Sequence, residues 1–299
     1  MKYILTFSGG KDSLATVIWA KKNLPDFDVV FCDTGWEHET TYQHIKQIEE
    51  WIGKQFVVLT NAKYPNGFID LCISKKRVAS TKARFCTEEL KVKPMIDYLL
   101  SLEQDITVIQ GVRAEESISR ANMKEKDEYF RFYFEPKKHD KNGNPVYDSY
   151  RKKDVVKFLD SYDCDVIRPI HKWTASQVFD YIFDAGLKGN PLYYQGFGRV
   201  GCFPCIMATH GEIKILCERY PEYIDKIREL ENSIGRSFFP PYYIPEWACT
   251  GISKKKTGEK MKFPWIDDVV KYIQDNPNQV ELFPKNKGCQ SVYAICERA

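Results

Sequence analysis

Apolar and polar positions alternate along the chain between short apolar runs and longer amphipathic stretches. The run Tyr3-Ile4-Leu5-Thr6-Phe7 reads as a strand, and the residues after it open a helix with Leu14, Val17, Ile18 and Trp19 at about one face. Asp28-Val29-Val30-Phe31-Cys32 reads as a second strand. Residues 39–52 follow as an amphipathic helix carrying Tyr42, Ile45, Ile48, Trp51 and Ile52 on one face. Gln55-Phe56-Val57-Val58-Leu59, Ile106-Thr107-Val108-Ile109 and Val166-Ile167-Arg168-Pro169-Ile170 read as strands three to five. Residues 88–100 read as a helix with Leu90, Met95, Tyr98 and Leu99, in which Pro94 is a difficulty, because proline removes a hydrogen bond and crowds the preceding turn. Strands alternating with helices predict an α/β fold: a Rossmann-like, doubly wound, mostly parallel sheet of five strands.

After strand five the pattern changes. Thr174 to Gln177 forms a capping box for a helix that buries Val178, Tyr181 and Ile182. Residues 211–235 are helical, 238–262 irregular, and a last helix falls near 265–275. This predicts one domain over residues 1–210 and a helical and irregular C-terminal extension over 211–299. Residues from about 122 to 160 read as an insertion, with Lys141-Asn142-Gly143-Asn144-Pro145 as its turn. The insertion interleaves Arg131, Lys137, Lys138, His139, Arg151, Lys152 and Lys153 with tyrosines. Such a surface can grip a nucleic acid; charged loops are more often simply solvated.

Composition narrows the class. A chain of 299 residues with 43% hydrophobic and 28% charged residues has the make-up of a soluble globular protein. No apolar stretch reaches the length of a membrane span, and no secretory leader precedes strand one, so no membrane partner and a cytoplasmic location are expected. The net charge of +3 permits contact with nucleic acid without demanding it. In that reducing compartment the 10 cysteines are not expected to pair as disulfides. Cys32, Cys72 and Cys164 lie in or beside apolar runs and read as small core residues. Cys202-Phe203-Pro204-Cys205 differs: a C-x-x-C in a glycine-bounded loop can aim two thiolates at one metal or cluster. A Zn²⁺ site with two further ligands and a redox dithiol remain open beside that reading. Cys86 stands alone, and Cys289 and Cys296 form a wider pair near the chain end. Neither a Ser-His-Asp order nor H-E-x-x-H is present, and with five histidines, His-centred catalysis has little support.

The richest chemistry lies at Ser8-Gly9-Gly10-Lys11-Asp12-Ser13, between strand one and its helix. Two glycines let backbone come close to a ligand. A helix N-terminus then offers unpaired N–H groups and partial positive charge, a site suited to phosphate. Lys11 adds charge, and Ser8 and Ser13 add hydroxyls. Asp12 would repel phosphate unless a cation lay between them, which implies Mg²⁺ bridging to a polyphosphate. The string lacks the earlier glycine of the Walker loop. Ser8, Asp33 and Gly111 each follow a predicted strand and should line one crevice at the carboxyl ends. Asp33 suits ribose or metal, with a turn or cap role as the alternative. Arg113 and Arg120, seven residues apart, would share a helix face and suit phosphate or sulfate, with a solvated charged helix as the alternative.

Several segments together resemble the phosphoadenosine phosphosulfate (PAPS) reductase family, within the adenine nucleotide α-hydrolase-like fold. They are Ser8 to Ser13, Asp33 to Glu37, Arg84-Phe85-Cys86-Thr87, Gly111 to Arg120, Pro169-Ile170 with Trp173-Thr174, and Asn190 to Tyr193 with Gly201-Cys202. The first is similar to the PP-loop of N-type ATP pyrophosphatases, which implies cleavage of ATP between its α- and β-phosphates. The resemblance implies an enzyme that binds ATP and Mg²⁺ at Ser8, Gly9, Gly10, Lys11, Asp12, Ser13, Asp33, Gly111, Arg113 and Arg120, with Lys11, Asp12 and Arg113 catalytic. It also implies a [4Fe–4S] cluster held by Cys86, Cys202, Cys205 and one of Cys289 and Cys296. Two departures separate the chain from sulfonucleotide reductases: the loop is complete, and no Glu-Cys-Gly-x-His closes the chain. A third concerns the cluster, where Phe85 stands in place of the first cysteine of a Cys-Cys pair. The pattern is similar to that of the ATP pyrophosphatases of DNA phosphorothioation. It implies adenylylation with pyrophosphate release in a sulfur-transfer reaction, with a sulfur-donor protein such as a cysteine desulfurase, and with nucleic acid as a candidate acceptor. The alternatives are reduction of adenylylsulfate or PAPS with a thioredoxin-like reductant, and a non-catalytic nucleotide-binding partner subunit.

Overall fold

Ile4 and Leu5 of strand β1 (Lys2–Phe7) and Val108 and Ile109 of β4 (Ile106–Gln110) have no exposed surface. Such continuous apolar runs need helices on both faces of a parallel sheet. The computed structural model, which describes residues 1–80, 83–254 and 257–277, has that arrangement. Its contacts divide the chain into two units, Met1–Asp33 with Glu39–Thr60 and Lys91–Asn190, and Thr34–His38 with Asn61–Leu90 and Pro191–Ala299.

The first unit holds the central sheet. Strand β2 (Asp28–Cys32) lies parallel to β1 and β3 (Val57–Leu59) parallel to β2. On the other side of β1 lies β4 with Lys2 opposite Ile106. A short strand β5 (Lys126–Glu128) and a two-stranded ribbon, β6 (Lys138–His139) with β7 (Pro145–Val146), precede β8 (Cys164–Ile167). β8 runs parallel to β4, and β5 closes the edge antiparallel to β8, in the order β3-β2-β1-β4-β8-β5. The fold is therefore the expected mostly parallel, doubly wound α/β sheet, with six strands where five are predicted. The added strand, Lys126-Asp127-Glu128, has no apolar residue, so periodicity does not mark it; a short charged strand is a common way to end a sheet. Helix α1 (Lys11–Asn23) and the helices Glu39–Ile52 and Ala175–Asp184 cover one face through Leu14, Ile18, Ile48 and Val178. The helices Lys93–Ser101 and Lys152–Leu159 cover the other through Met95, Leu99, Val155 and Phe158.

Two local details differ from the periodicity. The expected helix over 88–100 is present and continuous, but it winds as a π turn over Glu88–Val92 directly before the α segment Lys93–Ser101, whose first turn holds Pro94. In the insertion, the ribbon turns through Asp140–Asn144, and three of its cations have carboxylate partners. Arg131 pairs with Asp127 and Glu135, Lys137 with Asp148, and Arg151 with Asp97 and Asp154.

The second unit is mostly helical. The helices Phe68–Lys75, His210–Arg219, Pro221–Ile234 and Ile266–Asp275 surround a core that includes Leu71, Leu216, Ile227, Phe238 and Val269. The Trp36 ring lies 5.2 Å from Phe68 and 6.3 Å from Phe238, so three distant stretches of sequence share one core. By packing contacts the division falls near residue 190, and residues 34–38 and 61–90 group with the C-terminal part. Residues 238–262, expected to be irregular, include a ribbon of β9 (Gly251–Lys254) and β10 (Lys260–Phe263). No helix among the described residues is long and apolar enough to cross a membrane.

One buried group of the first unit makes stability depend on pH. His44, on the inner side of the helix Glu39–Ile52, is buried, and neither ring nitrogen has a hydrogen-bond partner. Burial pushes its pKa down to about 4, with Gln47 acting weakly against it. An unfolded His44 protonates near its ordinary value of 6.5, a folded one only near 4. Stability is thus complete above pH 6.5 and falls as pH drops toward 4, by roughly 3 kcal/mol from this group. In urea unfolding at pH 7 and pH 4.5, His44→Leu should gain on the wild type by most of that amount at the lower pH; a gap that does not change with pH would contradict it.

Candidate functional site

Strand β1 delivers the chain to the glycine turn at its carboxyl end. Gly9 has φ of 80°, and a Cβ there would lie 2.5 Å from Cγ2 of Thr41, so both conformation and space require glycine. Gly10 caps α1 in extended conformation with no side-chain cap, so no side chain of the cap occupies the first N–H groups of the helix. The Ser8 N–H donates to Ser13 Oγ at 3.2 Å, and Ser13 Oγ donates to the Gly10 carbonyl at 2.9 Å, closing the turn on itself. Asn190, fully buried, donates from Nδ2 to the Gly9 carbonyl at 3.3 Å and to Thr41 Oγ1 at 3.2 Å. Gly111, where β4 ends, is needed for contact: a Cβ there would sit 2.7 Å from the Asp12 carbonyl oxygen and 2.9 Å from Cα of Ser13.

The charges of the site gather on Asp12. Lys11, nearly buried, places Nζ 3.0 Å from Asp12 Oδ2. Arg113, also buried, donates from Nε to Asp12 Oδ1 and from Nη1 to Glu115 Oε2, each at 2.5 Å. Burial alone would lower the Arg113 pKa, but Asp12, Glu115 and Glu116 outweigh it and hold the guanidinium above its ordinary value. Glu115 Oε2 also accepts the N–H of Ala175 at 2.9 Å, at the start of the helix Ala175–Asp184. Asp12, read from the sequence as a tether for Mg²⁺, is thus held by two cations, and a metal would compete with or join them.

Arg113 and Arg120 do not share one helix. Ser117 is extended and accepts the Arg120 N–H, so the segment splits into a 3-10 turn at Ala114–Glu116 and a short helix at Ile118–Ala121. Arg120 is partly exposed and pairs with Glu116 instead. Asp33 stands at the end of β2, accepts from Tyr42 Oη at 2.8 Å and is anchored through its N–H to the Leu59 carbonyl. Ser8, Lys11, Asp12, Ser13, Gly111 and Arg113 therefore meet around one turn. Asn190, Thr41, Glu115 and Tyr42 support it without having been singled out as site residues. The Asn190-Pro191 step was visible as a motif, but its bond to Gly9 spans 181 positions.

The cysteine loop belongs to the second unit. The Phe203 N–H donates to the Trp36 carbonyl at 2.6 Å, Trp36 Nε1 donates to the Pro204 carbonyl at 3.0 Å, and the Phe203 ring is wedged against His38, Phe197 and Tyr223. Glu37, buried, accepts from Thr34 N and Oγ1 and from Trp36 N, and the Cys202 thiol lies 3.8 Å from its Oε1. Cys86, in the turn Phe85–Thr87, packs on the same apolar cluster as Cys202. Among the described residues, no three His, Cys, Asp or Glu side chains stand together as a metal-binding group, so Cys86, Cys202 and Cys205 do not by themselves complete one. Cys289 and Cys296 lie outside the described residues. Cys72 and Cys164 are buried, and burial pushes both thiols up to about 12, as expected of core cysteines; Cys32 is half-buried, with its thiol toward the Lys91 carbonyl.

The first unit is thus a doubly wound α/β domain with a glycine turn and two buried cations at the carboxyl ends of its strands. Residues 2–208 match the phosphoadenosine phosphosulfate reductase domain, and the chain belongs to that family. An uncharacterized 37.8 kDa protein of Escherichia phage 186 is 31% identical across 82% of this chain and 81% of its own length. An uncharacterized protein of Methanocaldococcus jannaschii is 28% identical across 85% of this chain, which spans 45% of that protein. An adenosine 5'-phosphosulfate reductase of Streptomyces coelicolor is 27% identical across 62% of this chain and 64% of its own. The crystal structure of a PAPS reductase from Candida auris, in complex with phosphate, aligns with a TM-score of 0.47 at 15% identity, over 69% of this chain and 83% of that one.

Asn190→Ala should expose the dependence of the turn on its support. It leaves the Gly9 carbonyl without that donor in a buried setting, at a cost of about 1–3 kcal/mol. The measurement is the urea midpoint with ligand absent; a variant as stable as the wild type would mean that Asn190 does not hold the turn.

Proposed function

We propose that this chain binds ATP at the Ser8–Ser13 turn and cleaves it between the α- and β-phosphates, adenylylating an acceptor oxygen and releasing pyrophosphate. The observation that carries this is the complete glycine turn with Lys11 and Arg113 both buried and drawn onto Asp12. Two buried cations beside uncapped helix N–H groups suit a chain of phosphates better than a single neutral group. The acceptor oxygen attacks the α-phosphorus and loses its proton to solvent. The bond from that phosphorus to the bridging oxygen breaks, and the electron pair leaves with pyrophosphate. The turn's N–H groups and Lys11 stabilise the charge that grows on the leaving phosphates, and Arg113 is positioned for the α-phosphate. Mg²⁺, held by Asp12, would neutralise adjacent phosphate oxygens when bound. The adenylylated acceptor is then open to displacement of AMP by a sulfur nucleophile from a donor protein.

A second reading is reduction of a sulfonucleotide, favoured by the relatives named adenosine 5'-phosphosulfate reductase. In it the turn and Arg113 hold phosphate or sulfate, and a thiolate of Cys289 or Cys296 attacks the sulfur. The S–O bond to the nucleotide breaks with the electron pair leaving on its phosphate, and a thioredoxin-like dithiol then reduces the resulting S-sulfocysteine, forming a disulfide and releasing sulfite. The C-x-x-C loop is where we place a cluster or Zn²⁺. Cys202 and Cys205 supply two donors, the described residues do not complete the set, and no step is routed through it.

ATP with Mg²⁺ should bind and release pyrophosphate. Gly9→Val, which fills the space against Thr41, and Asp12→Ala, which removes the carboxylate that Lys11 and Arg113 share, should each lower that release at least 100-fold. ATP that fails to bind in calorimetry, together with sulfite release from adenylylsulfate or PAPS, would establish the second reading instead. For the cysteines, anaerobic protein should carry iron with broad visible absorption. Cys202→Ser should lose it and Cys72→Ser keep it, whereas colourless protein with one zinc per chain would assign a structural Zn²⁺ site.

A further inference from the structure

Beyond residue 208, outside the family match, the second unit carries a face that the nucleotide turn does not use. Its centre is the β9–β10 ribbon, in which Lys260 lies directly opposite Lys254 and Lys262 directly opposite Ile252. Directly opposed residues and those two apart along a strand share a face, so Lys254, Lys260 and Lys262 point to the same side. Like charges directly opposite one another destabilise a ribbon. All three lysines are exposed, and none makes an ion pair among the described residues. Residues 251–263 contain five lysines and one glutamate in all. The opposite face is fixed by packing, since the Phe263 ring lies where a Cβ on Gly251 would be, and the start of the ribbon is anchored where Thr250 is tied to Asp268. The cationic face is therefore held outward by the fold.

Beside the ribbon is a cleft of about 560 Å³, lined by Tyr242, Pro245, Tyr272, Lys260 and Lys262 among others. The loop at its rim leaves Tyr242 71% and Trp247 72% exposed, with Ile252 of the ribbon 61% exposed. The Trp247 ring is set edge-on to Tyr272 at 5.8 Å, so the aromatic surface continues from the rim into the cleft. Large aromatic rings left in water next to unpaired lysines match a ligand that brings flat rings and phosphates together. Glu246 and Glu259 also line the cleft. They disfavour a compact inorganic anion there and suit an extended ligand whose phosphates meet the lysines while its bases stack on the rings.

We propose that this face binds single-stranded nucleic acid, with Lys254, Lys260 and Lys262 on the phosphates and Tyr242 and Trp247 as stacking platforms. It stands apart from the ATP reading and does not depend on it. The insertion over about 122–160, the basic aromatic region apparent in the sequence, is the weaker site because Arg131, Lys137 and Arg151 already have carboxylate partners.

The test is fluorescence anisotropy of the full chain with a labelled 20-nucleotide DNA and an RNA of the same sequence, at 50–300 mM salt. One or both single strands should bind, with a slope of log affinity on log salt of about −2 from three lysine contacts. Changing Lys254, Lys260 and Lys262 together to Gln should flatten the slope, and Tyr242→Ala or Trp247→Ala should each weaken binding about five-fold or more. All five side chains are exposed, so the variants should melt with the wild type. Absence of binding at 50 mM salt overturns the proposal. So does an affinity untouched by the aromatic changes, or equal binding of duplex or inorganic polyphosphate.

Discussion

The site is organised by the placement of one carboxylate between two cations. Asp12 takes the ammonium of Lys11 on one oxygen and the guanidinium of Arg113 on the other, all three largely shielded from water. A buried cation without a counter-charge is costly, and two side by side would also repel. The pair with Arg113 links the glycine turn after β1 to the segment after β4, where Gly111 already lies in backbone contact with Asp12. Through Glu115 the same link reaches the start of the helix Ala175–Asp184. Asp12 therefore does more than a metal tether would: it fixes where both positive charges stand before any nucleotide arrives, which lowers the reorganisation that binding requires.

Much of the first unit was legible because its cause is local. Ile4, Leu5, Val108 and Ile109 sit in strands buried on both faces, and an unbroken apolar run is the signature of that environment. Ser8 to Ser13 could be recognised because a turn that tolerates only glycine at Gly9 leaves a mark in sequence. Other features arise from partners far away in the chain. Lys126-Asp127-Glu128 becomes a strand because the edge of β8 is available, not because of its own pattern. Arg113 and Arg120 look like neighbours on a helix until Ser117 caps the second turn and sends them to different carboxylates. Pro94 marked a real irregularity, a π-wound turn just before it in an otherwise continuous helix.

The second unit shows the limit more sharply. A C-x-x-C loop announces itself in sequence, but its surroundings come from Thr34, Trp36, Glu37 and His38, more than 160 residues earlier. Those contacts set a buried carboxylate, that of Glu37, beside Cys202, which nothing in the C-x-x-C spacing announces. Likewise, residues 238–262 read as irregular, and strand pairing places Lys254, Lys260 and Lys262 on one face.

The core shared by Trp36, Phe68 and Phe238 has a consequence for synthesis. The first two rings are made early and the third 202 residues after Trp36, as the difference of their numbers shows. At ribosomal rates of roughly 5–20 residues per second, Trp36 and Phe68 wait about 10–40 s for the partner that covers them. During that interval the growing chain presents apolar rings that neither local helix can hide. The second unit is thus expected to be the late and aggregation-prone step of folding, with chaperone demand concentrated before the ring of Phe238 emerges.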